Sequence, residues 1–349
     1  MYDEFFGKTC IAISMPSQKT SLVITSIAGD DHPVLNMYAK QARVHGVQFI
    51  VIGDTKSPSK FSIFNCDYYS INRQLDLGFE LLNYLPLQHY SRKNIGYLMA
   101  IKNGADIIIE TDDDNIPLHD FWKPRTINLR VRSIKNGGWV NIYKYFTGLH
   151  IWPRGFNLEN ILDPLPKLGD LMEIECPVQQ GLANENPDVD AIYRLTLPLP
   201  IVFNSTDNIS LGINTICPFN SQNTTWFKEA FPLLYLPSNC SFRMTDIWRS
   251  FVAQRIAWAC GWSIVFHSST VRQERNDHSL IKDFEDEVVG YLNNSLIVST
   301  LSKLPLKEGK EHIFENLELC YGAIIKLGVI DQKELPLVRA WINDLQSTM

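Results

Sequence analysis

Two short apolar runs near the start of the chain are separated by a segment that can form a helix. Residues 21–28 (SLVITSIA) and 47–52 (VQFIVI) are apolar and rich in β-branched side chains, which predicts two strands. The turn GDDHP after the first run can cap a helix over about 34–45. A strand, a helix and a second strand in this order predict a βαβ unit with a right-handed crossover, so we expect the sheet to begin with parallel strands.

A third short strand is predicted at 66–71, and the segment 91–105 (SRKNIGYLMAIKNGA) predicts a helix with a serine cap and a glycine at its end. This helix leads into residues 105–109 (ADIII), a continuous apolar run that is typical of a buried strand in a parallel sheet. The acidic run that follows this strand consists of Asp112, Asp113 and Asp114. Ligands of open α/β sheets bind beyond the carboxyl ends of the strands, so we expect the acidic run to lie at a binding edge.

The middle of the chain, residues 120–240, is rich in Pro, Asn, Trp and Phe and has little helical periodicity. We expect a mixed or antiparallel extension of the sheet with long loops. Within it, residues 180–190 (QGLANENPDVD) suit either a binding loop or a turn, and composition favours the turn. An amphipathic helix that Thr245 can cap comes next, followed by a strand that is expected to end at Phe266 and His267.

Three helices are predicted in the last part of the chain, over residues 283–292, 311–327 and 332–346. Their apolar spacing predicts packing against the main domain, with a partner or membrane-surface role as the less favoured alternative. The pattern as a whole predicts an α/β fold with a mixed, mainly parallel sheet flanked by helices. We divide it into a main domain of residues 1–282 and a C-terminal helical extension of residues 283–349.

Composition excludes several classes of protein. With 349 residues and 45% hydrophobic content, the chain can fill a sizeable core, so disorder is not expected. A net charge of -6 and a pI near 5.8 argue against a nucleic-acid partner. The sequence has no apolar stretch of transmembrane length, and MYDEFFGKTC at its start lacks a signal-peptide core. We expect a cytoplasmic protein that can be peripheral to a membrane, and a Golgi lumenal one only if the sequence is a truncated ectodomain.

The cysteines do not indicate a metal site or a disulfide framework. Their number, seven, is odd, and they are scattered without CxxC or Cys/His spacing, which favours reduced thiols.

The acidic run suggests a metal site. Adjacent carboxylates repel one another unless a cation joins them, and hard oxygen ligands suit Mg²⁺ or Mn²⁺. These ions commonly use one or two carboxylates and fill their remaining positions with substrate phosphates. We therefore interpret Asp112, Asp113 and Asp114 as a site for a metal and a diphosphate, with a solvated acidic turn as the alternative.

Several other polar residues have both a functional and a structural interpretation. Arg92 lies in the first turn of its helix, where a cation opposes the helix dipole; an anionic ligand nearby would account for it, but so would simple solvation. Arg272 and Arg275 follow a strand and could clamp a diphosphate, although exposed arginines usually do not. His267 could be a ligand or a hydrogen-bonded residue of the sheet. Asp246 is favoured by the helix dipole without any catalytic role.

The chain resembles the nucleotide-sugar glycosyltransferases with a GT-A fold. The segments RKNIGYLMAIKNGADIIIETDDDNIP, FRMTDIWRSFVAQRIAW and VFHSSTVRQERNDHSLIKDFEDE resemble the STELLO family of glycosyltransferases. VIGDTKSPSK, the DDD run, QQGLANENPDVDA and the helix that opens at Asp246 are more distantly similar to the reversibly glycosylated polypeptides, which include UDP-arabinopyranose mutases. Together these segments cover most of residues 20–290.

The resemblance implies a role for each candidate residue. Metal ligands for Mn²⁺ or Mg²⁺ would be Asp112, Asp114 and His267. Residues that bind the nucleotide or the sugar of the donor would be Thr25, Asp54, Arg92 and Asp113, and Arg272 is added as a diphosphate clamp. Asp246 matches the carboxylate that removes the proton from the acceptor hydroxyl in inverting enzymes.

We therefore expect a metal-dependent glycosyltransferase that moves a sugar from a nucleotide sugar, with UDP as the favoured nucleotide, to a glycan or another hydroxyl acceptor. One alternative is a sugar-nucleotide mutase, although the mutases carry two acids before the tryptophan-containing helix and this chain has Thr245 before Asp246. The other is a non-catalytic scaffold of a glycan-synthesis complex. Expected partners are the donor and the acceptor, with a homo-oligomer or a glycan-synthesis complex as the possible assembly.

Overall fold

The computed structural model describes residues 18–135, 137–275 and 279–349. Within these ranges the chain forms one mixed sheet of 11 strands and a separate two-stranded ribbon. The strands are β1 (Thr20–Thr25), β2 (Gln48–Ile52), β3 (Asp67–Tyr69), β4 (Ile107–Thr111), β5 (Asn115–Pro117), β6 (Asn128–Ile134), β7 (Gly138–Trp139), β8 (Leu171–Glu175), β9 (Val178–Asn184), β10 (Ile209–Leu211), β11 (Thr215–Ile216), β12 (Asn223–Phe227) and β13 (Ile264–Gln273). The helices are α1 (Pro33–Val44), α2 (Ile71–Leu75), α3 (Lys93–Lys102), α4 (Ala191–Thr196), α5 (Thr245–Ala259), α6 (Leu280–Ser302), α7 (Ile313–Lys326) and α8 (Glu334–Thr348).

The order of strands across the main sheet is β3-β2-β1-β4-β12-β9-β13-β10-β6-β8, and β5 pairs with β13 outside this path. Strands β3, β2, β1 and β4 are parallel, as the βαβ pattern predicted. Strand β12 runs antiparallel to both β4 and β9, and β13 is parallel to β9. The carboxyl ends of β1, β2, β4 and β13 and the start of β12 therefore meet at one edge of the sheet. The predicted class, an α/β fold with a mixed sheet flanked by helices, is confirmed.

The two faces of the sheet are covered by different helices because the side chains of each strand alternate. Along β1, Leu22 and Ile24 pack in the cluster that contains α1, whereas Val23 packs in the larger cluster that contains α3 and α5. Helix α3 lies very close to the sheet: a Cβ added at Gly96 would come within 2.5 Å of the Val23 side chain. This contact fixes the position of the helix that precedes the acidic run.

The C-terminal helices pack on the main domain through the same large core. Trp341 of α8 is fully buried, and Glu334, which is also fully buried, accepts hydrogen bonds from the backbone N–H groups of Ser238 and Asn239. Asp344 accepts hydrogen bonds from the N–H groups of residues 80 and 81. The chain thus holds α8 against two loops of the main domain, while the division at residue 282 stays a prediction. In the described part of the chain, no helix is long and apolar enough to cross a membrane.

Two sequence-based predictions about the sheet are wrong. Residues 180–190 are not a turn, because residues 180–184 belong to β9, a buried strand in the middle of the sheet. The strand predicted to end at His267 continues to Gln273. The polar residues Ser268, Ser269 and Thr270 resemble a turn in the sequence, but an irregularity in the pairing of β13 with β9, between His267 and Val271, accommodates them.

Asp190 is a buried carboxylate that makes stability depend on pH. It caps α4 by accepting a hydrogen bond from the Tyr193 N–H, and it also accepts one from the Trp152 indole. Burial raises the pKa of Asp190 from 3.8 to about 7, against the effect of these hydrogen bonds. Between pH 4 and 7 the folded chain therefore holds a proton that the unfolded chain has lost, so stability falls as the pH rises through this range.

We expect the free energy of unfolding of the wild type, measured relative to Asp190→Asn, to fall by up to about 4 kcal/mol between pH 4.5 and 7.5 and to level off above that. Urea unfolding of both proteins at a series of pH values measures the difference. The exposed Asp207→Asn is the control. A difference between wild type and Asp190→Asn that does not change with pH would show that Asp190 is ionised throughout.

Candidate active site

A cavity of about 470 Å³ opens at the edge where the strand ends meet. Its walls come from the ends of β1, β2 and β4, the start of β12, the end of β13, residues 88–92 and the turn before α5. The candidate residues that line this cavity are Thr25, Asp54, Arg92, Asp112, Asp113, Asp114 and Asp246. The structure thus brings together seven of the nine candidates, and their individual roles stay predictions.

Asp112 is held by a buried cation and a phenol. Lys93, whose side chain is fully buried, donates from Nζ to Asp112 Oδ1 at 3.0 Å, and the Tyr90 hydroxyl lies 2.7 Å from the same oxygen. Burial raises the pKa of Asp112, and Lys93 and Tyr90 oppose that rise. Lys93 therefore balances the charge of Asp112 but pairs with neither Asp113 nor Asp114 in the described structure.

Within the described ranges, the hydrogen-bond partners of the Asp113 and Asp114 side chains are neutral. Asp113 accepts a hydrogen bond from the Ser26 hydroxyl, and Asp114 Oδ2 accepts one from Gln273 Nε2 at 2.9 Å. The other carboxylate oxygen of Asp114, Oδ1, is buried and has no hydrogen-bond partner among the described residues. Burial and the neighbouring carboxylates, Asp112 first, raise the pKa of Asp114 to about 7. A bound cation would stabilise the ionised form of such a buried carboxylate.

The residues at this edge fit a divalent metal that is shared with a substrate. Among the residues that the structure describes, no group of three or more His, Cys, Asp or Glu side chains could hold a metal ion by itself. Two hard carboxylates and an unpartnered oxygen on Asp114 suit Mg²⁺ or Mn²⁺, which take the rest of their ligands from water and phosphate oxygens.

The side of the cavity beyond β1 and β2 contains the three residues predicted to bind the nucleotide. Thr25 ends β1, and Asp54 follows β2 and accepts hydrogen bonds from the N–H groups of Thr55 at 2.6 Å and His89 at 3.2 Å. Arg92 is almost fully buried and donates to the side-chain oxygen of Gln74, at 3.0 Å from Nε. Asp54 therefore also holds the loop at residue 89 in place, and Arg92 is anchored to α2.

Asp246 faces the acidic run from the first turn of α5 and is paired with a cation. Its Oδ2 lies 3.0 Å from Arg154 Nη2 and accepts from both the backbone N–H and the hydroxyl of Ser221, each at 3.2 Å. Burial alone would raise the pKa of Asp246, but the Arg154 guanidinium outweighs burial and lowers it to about 2. Arg154 is itself bound bidentately by Asp188. Asp246 is therefore a carboxylate at neutral pH.

Two candidates, His267 and Arg272, do not line the cavity. His267 lies six residues before Gln273, roughly 15–20 Å along the strand. Its ring packs on Gly181, where an added Cβ would come within 2.8 Å of Cε1, and burial lowers its pKa to about 4. The structure therefore does not bring His267 to the aspartates. Arg272 pairs with Glu185 at 3.3 Å and Glu274 at 2.5 Å, away from the cavity.

Several residues of the site were not predicted. Gln273 is one of them, and it lies at the end of β13 near Arg275, which the sequence offers as a diphosphate clamp but which is not among the candidate site residues. Other lining residues that were not predicted include Tyr90, Arg154, Asp188 and Ser221. Arg154 and Ser221 lie in the loop-rich middle of the chain, where no pattern indicates which polar residue returns to the sheet edge. Asp188 lies in the segment similar to the mutases, and that similarity was the one signal for it.

A buried ion pair below the cavity connects the strand of the acidic run to the helix of Asp246. Glu110 of β4 accepts from Arg249 of α5 through both oxygens, at 2.7 and 2.9 Å, and both side chains are almost completely buried. The Trp226 indole also donates to Glu110, at 2.8 Å. This pair sets the spacing between the two halves of the site.

The chain is similar to proteins that are described as glycosyltransferases. Residues 243–349 match the family model of the STELLO glycosyltransferases. Over 324 residues the chain is 27% identical to the probable glycosyltransferase STELLO2 and 28% identical to the probable glycosyltransferase STELLO1, both from Arabidopsis thaliana. The match covers 87% of this chain but 42% of each relative, so the chain spans less than half the length of these relatives. The resemblance to the STELLO family is thereby confirmed.

A crystal structure of a mycobacterial protein is also similar, with a TM-score of 0.37 and 9% identity over 79% of this chain and 74% of that one. A likeness at this level does not bear on function.

Proposed function

We propose that this chain is a metal-dependent glycosyltransferase that takes its sugar from a nucleotide sugar, with UDP as the expected nucleotide, and transfers it to a glycan or another hydroxyl acceptor. The observation that supports this most is the cavity in which the acidic run faces Asp246. On one wall, carboxylates with an unpartnered oxygen suit a metal and a diphosphate. On the other, a single carboxylate can receive a proton. A transferase needs the metal–diphosphate site and the proton-accepting carboxylate close enough to act on the same sugar.

The donor would lie along the ends of the parallel strands. Thr25 and Asp54 would contact the nucleoside, because they end β1 and β2 beside the acidic run. Asp112 and Asp114 would hold the metal, and Arg275, which lines the cavity, would replace Arg272 as the cationic partner of the diphosphate. When bound, the metal supplies positive charge that stabilises the departing nucleoside diphosphate.

The acceptor hydroxyl would be bound beside Asp246. Because the pKa of Asp246 is about 2, this carboxylate is ionised but is a weak base at rest. It would therefore take the proton as the acceptor oxygen attacks, when that hydroxyl becomes more acidic. Arg154 orients the carboxylate by donating a hydrogen bond to Oδ2. Its guanidinium can keep this hydrogen bond while the carboxylate takes the proton.

Titration calorimetry with UDP, GDP, CDP and their common sugar conjugates, in Mn²⁺ and in EDTA, tests the donor site. We expect one nucleotide class, that of UDP, to bind in Mn²⁺ and not in EDTA. Asp114→Ala should abolish this binding because it removes the unpartnered carboxylate oxygen. The exposed Asp120→Ala, which changes a carboxylate that pairs with Lys123 on the surface, is the matched control and should bind as the wild type does.

If the wild type binds no nucleotide with or without metal, the transferase proposal fails, and a non-catalytic scaffold becomes the working hypothesis. If nucleotide binds equally well in EDTA, the acidic run is not the metal site.

A further inference from the structure

Asp112 and Asp246 are connected by a continuous chain of two hydroxyl groups. The Tyr90 hydroxyl lies 2.7 Å from Asp112 Oδ1 and 2.7 Å from the Ser221 hydroxyl. Ser221 Oγ in turn lies 3.2 Å from Asp246 Oδ2. The chain therefore extends from a proposed metal ligand to the proposed base, across the cavity that separates them.

This chain has three contacts but only two hydroxyl protons. If Tyr90 donates to Asp112, Ser221 must donate to Tyr90 to satisfy the contact between the two hydroxyls, and Asp246 then receives no hydroxyl proton. If Ser221 donates to Asp246, Tyr90 must donate to Ser221, because otherwise the two hydroxyl oxygens would lie 2.7 Å apart with no proton between them, and Asp112 then loses its hydroxyl donor. The two carboxylates therefore compete for the same pair of protons.

Lys93 does not remove this competition. Its ammonium group donates to the Tyr90 oxygen and to the Thr111 carbonyl, each at 2.7 Å, and to Asp112 at 3.0 Å. These three contacts use its three protons. Since an ammonium cannot accept, the Tyr90 proton can point only to Asp112 or to Ser221.

We propose that Tyr90 and Ser221 are positioning residues that couple metal binding at Asp112 to hydrogen bonding at Asp246. When Asp112 is neutralised by a bound cation, it attracts the Tyr90 proton less strongly, and both hydroxyl protons turn toward Asp246. Ser221 Oγ then joins Arg154 and the Ser221 N–H in holding Asp246 Oδ2, so the base is fixed in place once the donor has bound. This inference rests on the proposed function, because it assumes a metal-bound donor at the acidic run.

The coupling predicts opposite effects of two substitutions on metal affinity. In Ser221→Ala, the Tyr90 proton has no acceptor except Asp112 and must be displaced by the metal, so Mn²⁺ should bind about three- to tenfold more weakly. In Tyr90→Phe, the competing donor is absent, so Mn²⁺ should bind more tightly than in the wild type. A substitution that only loosened the site would weaken binding in both cases.

Electron paramagnetic resonance of free Mn²⁺ measures these affinities during titration with MnCl₂, alone and with UDP. Ser221→Ala should have no effect in the Tyr90→Phe background, since the phenol that transmits it is gone. Two buried or partly buried hydroxyls with partners outside the cavity provide matched controls. These are Ser238→Ala, whose hydroxyl contacts Ser91 at 2.8 Å, and Tyr145→Phe, whose hydroxyl donates to the Pro166 carbonyl at 2.5 Å.

The results separate this inference from the proposed function. If the wild type binds Mn²⁺ neither alone nor with UDP, the proposed function fails and the coupling fails with it. If the wild type binds Mn²⁺ but both substitutions weaken binding, or if Ser221→Ala keeps its effect in Tyr90→Phe, the coupling alone is overturned. Opposite signs, with the effect of Ser221→Ala lost in the double variant, support it.

Discussion

Asp246→Asn is expected to lower the rate of sugar transfer by about 10²- to 10⁴-fold, which is the usual contribution of a positioned general base. An amide has nearly the same shape as a carboxylate, but it cannot take a proton from the acceptor hydroxyl. Its oxygen can still accept from Ser221 and Arg154, which now hold Asp246 at 3.2 and 3.0 Å. The loss should therefore appear in the chemical step rather than in folding.

Binding of the donor should survive this substitution. Asp246 reaches Asp112 through the hydroxyls of Ser221 and Tyr90, so we expect at most the three- to tenfold change in metal affinity that the proposed coupling predicts. Calorimetry with UDP and Mn²⁺ and a transfer assay on the same preparations would separate the two effects, with the exposed Asp120→Asn as the control. An equal loss of nucleotide affinity and of transfer would reject the role of Asp246 as a base and would assign it to donor binding.

The pH profile of transfer gives an independent check on the same residue. Because Arg154 lowers the pKa of Asp246 to about 2, the carboxylate stays ionised at pH 4 and above. Its protonation should not produce an acid limb near pH 4 to 5, where an unpaired carboxylate would produce one.

The sequence predicts the half of the site that is built from parallel strands. Asp54 and the acidic run each follow a short apolar run and Thr25 lies within one. The resemblance assigns Thr25 and Asp54 to the nucleotide, and they meet the acidic run because parallel strands end at the same edge. Asp246 could be placed because its helix has a clear start and a strong resemblance supports it. The positions of these residues follow from local pattern and one rule of topology, and their expected roles come from the resemblance.

The other half depends on contacts between distant segments that local patterns do not indicate. Arg154 meets Asp246 across 92 residues of chain, and Ser221 reaches it from the start of an antiparallel strand. His267 was misplaced because three polar residues after it resemble a turn, although the strand continues through an irregularity. The end of this strand was predicted six residues early, and the residues near its true end that line the cavity are Gln273 and Arg275.

Glu110→Gln is expected to lower the free energy of unfolding by about 3–5 kcal/mol, because it leaves the buried Arg249 without a counter-charge. Both side chains are at most 1% exposed, and the pair has two hydrogen bonds at 2.7 and 2.9 Å. Burial alone would lower the pKa of Arg249, but Glu110 raises it above its usual range, so the guanidinium stays charged in the core. Chemical denaturation followed by tryptophan fluorescence measures the loss, since Trp226 packs against Arg249.

The surface pair of Glu318 and Arg339 is a matched control for this substitution. It has the same residue types and two contacts at 2.7 and 2.6 Å, but its side chains are 41% and 59% exposed. Glu318→Gln should therefore cost about 0–1 kcal/mol, because water already solvates both charges. Similar costs for the two substitutions would show that burial does not decide the strength of the Glu110 pair.

Replacing both members of the buried pair tests why the cost is large. Glu110→Gln combined with Arg249→Met removes the unpaired charge, so it should recover much of the stability lost in Glu110→Gln alone. Activity should not recover with it, because Glu110 lies two residues before Asp112 and Arg249 three residues after Asp246. A double variant that regained both stability and transfer would show that this ion pair does not set the spacing between the acidic run and the base.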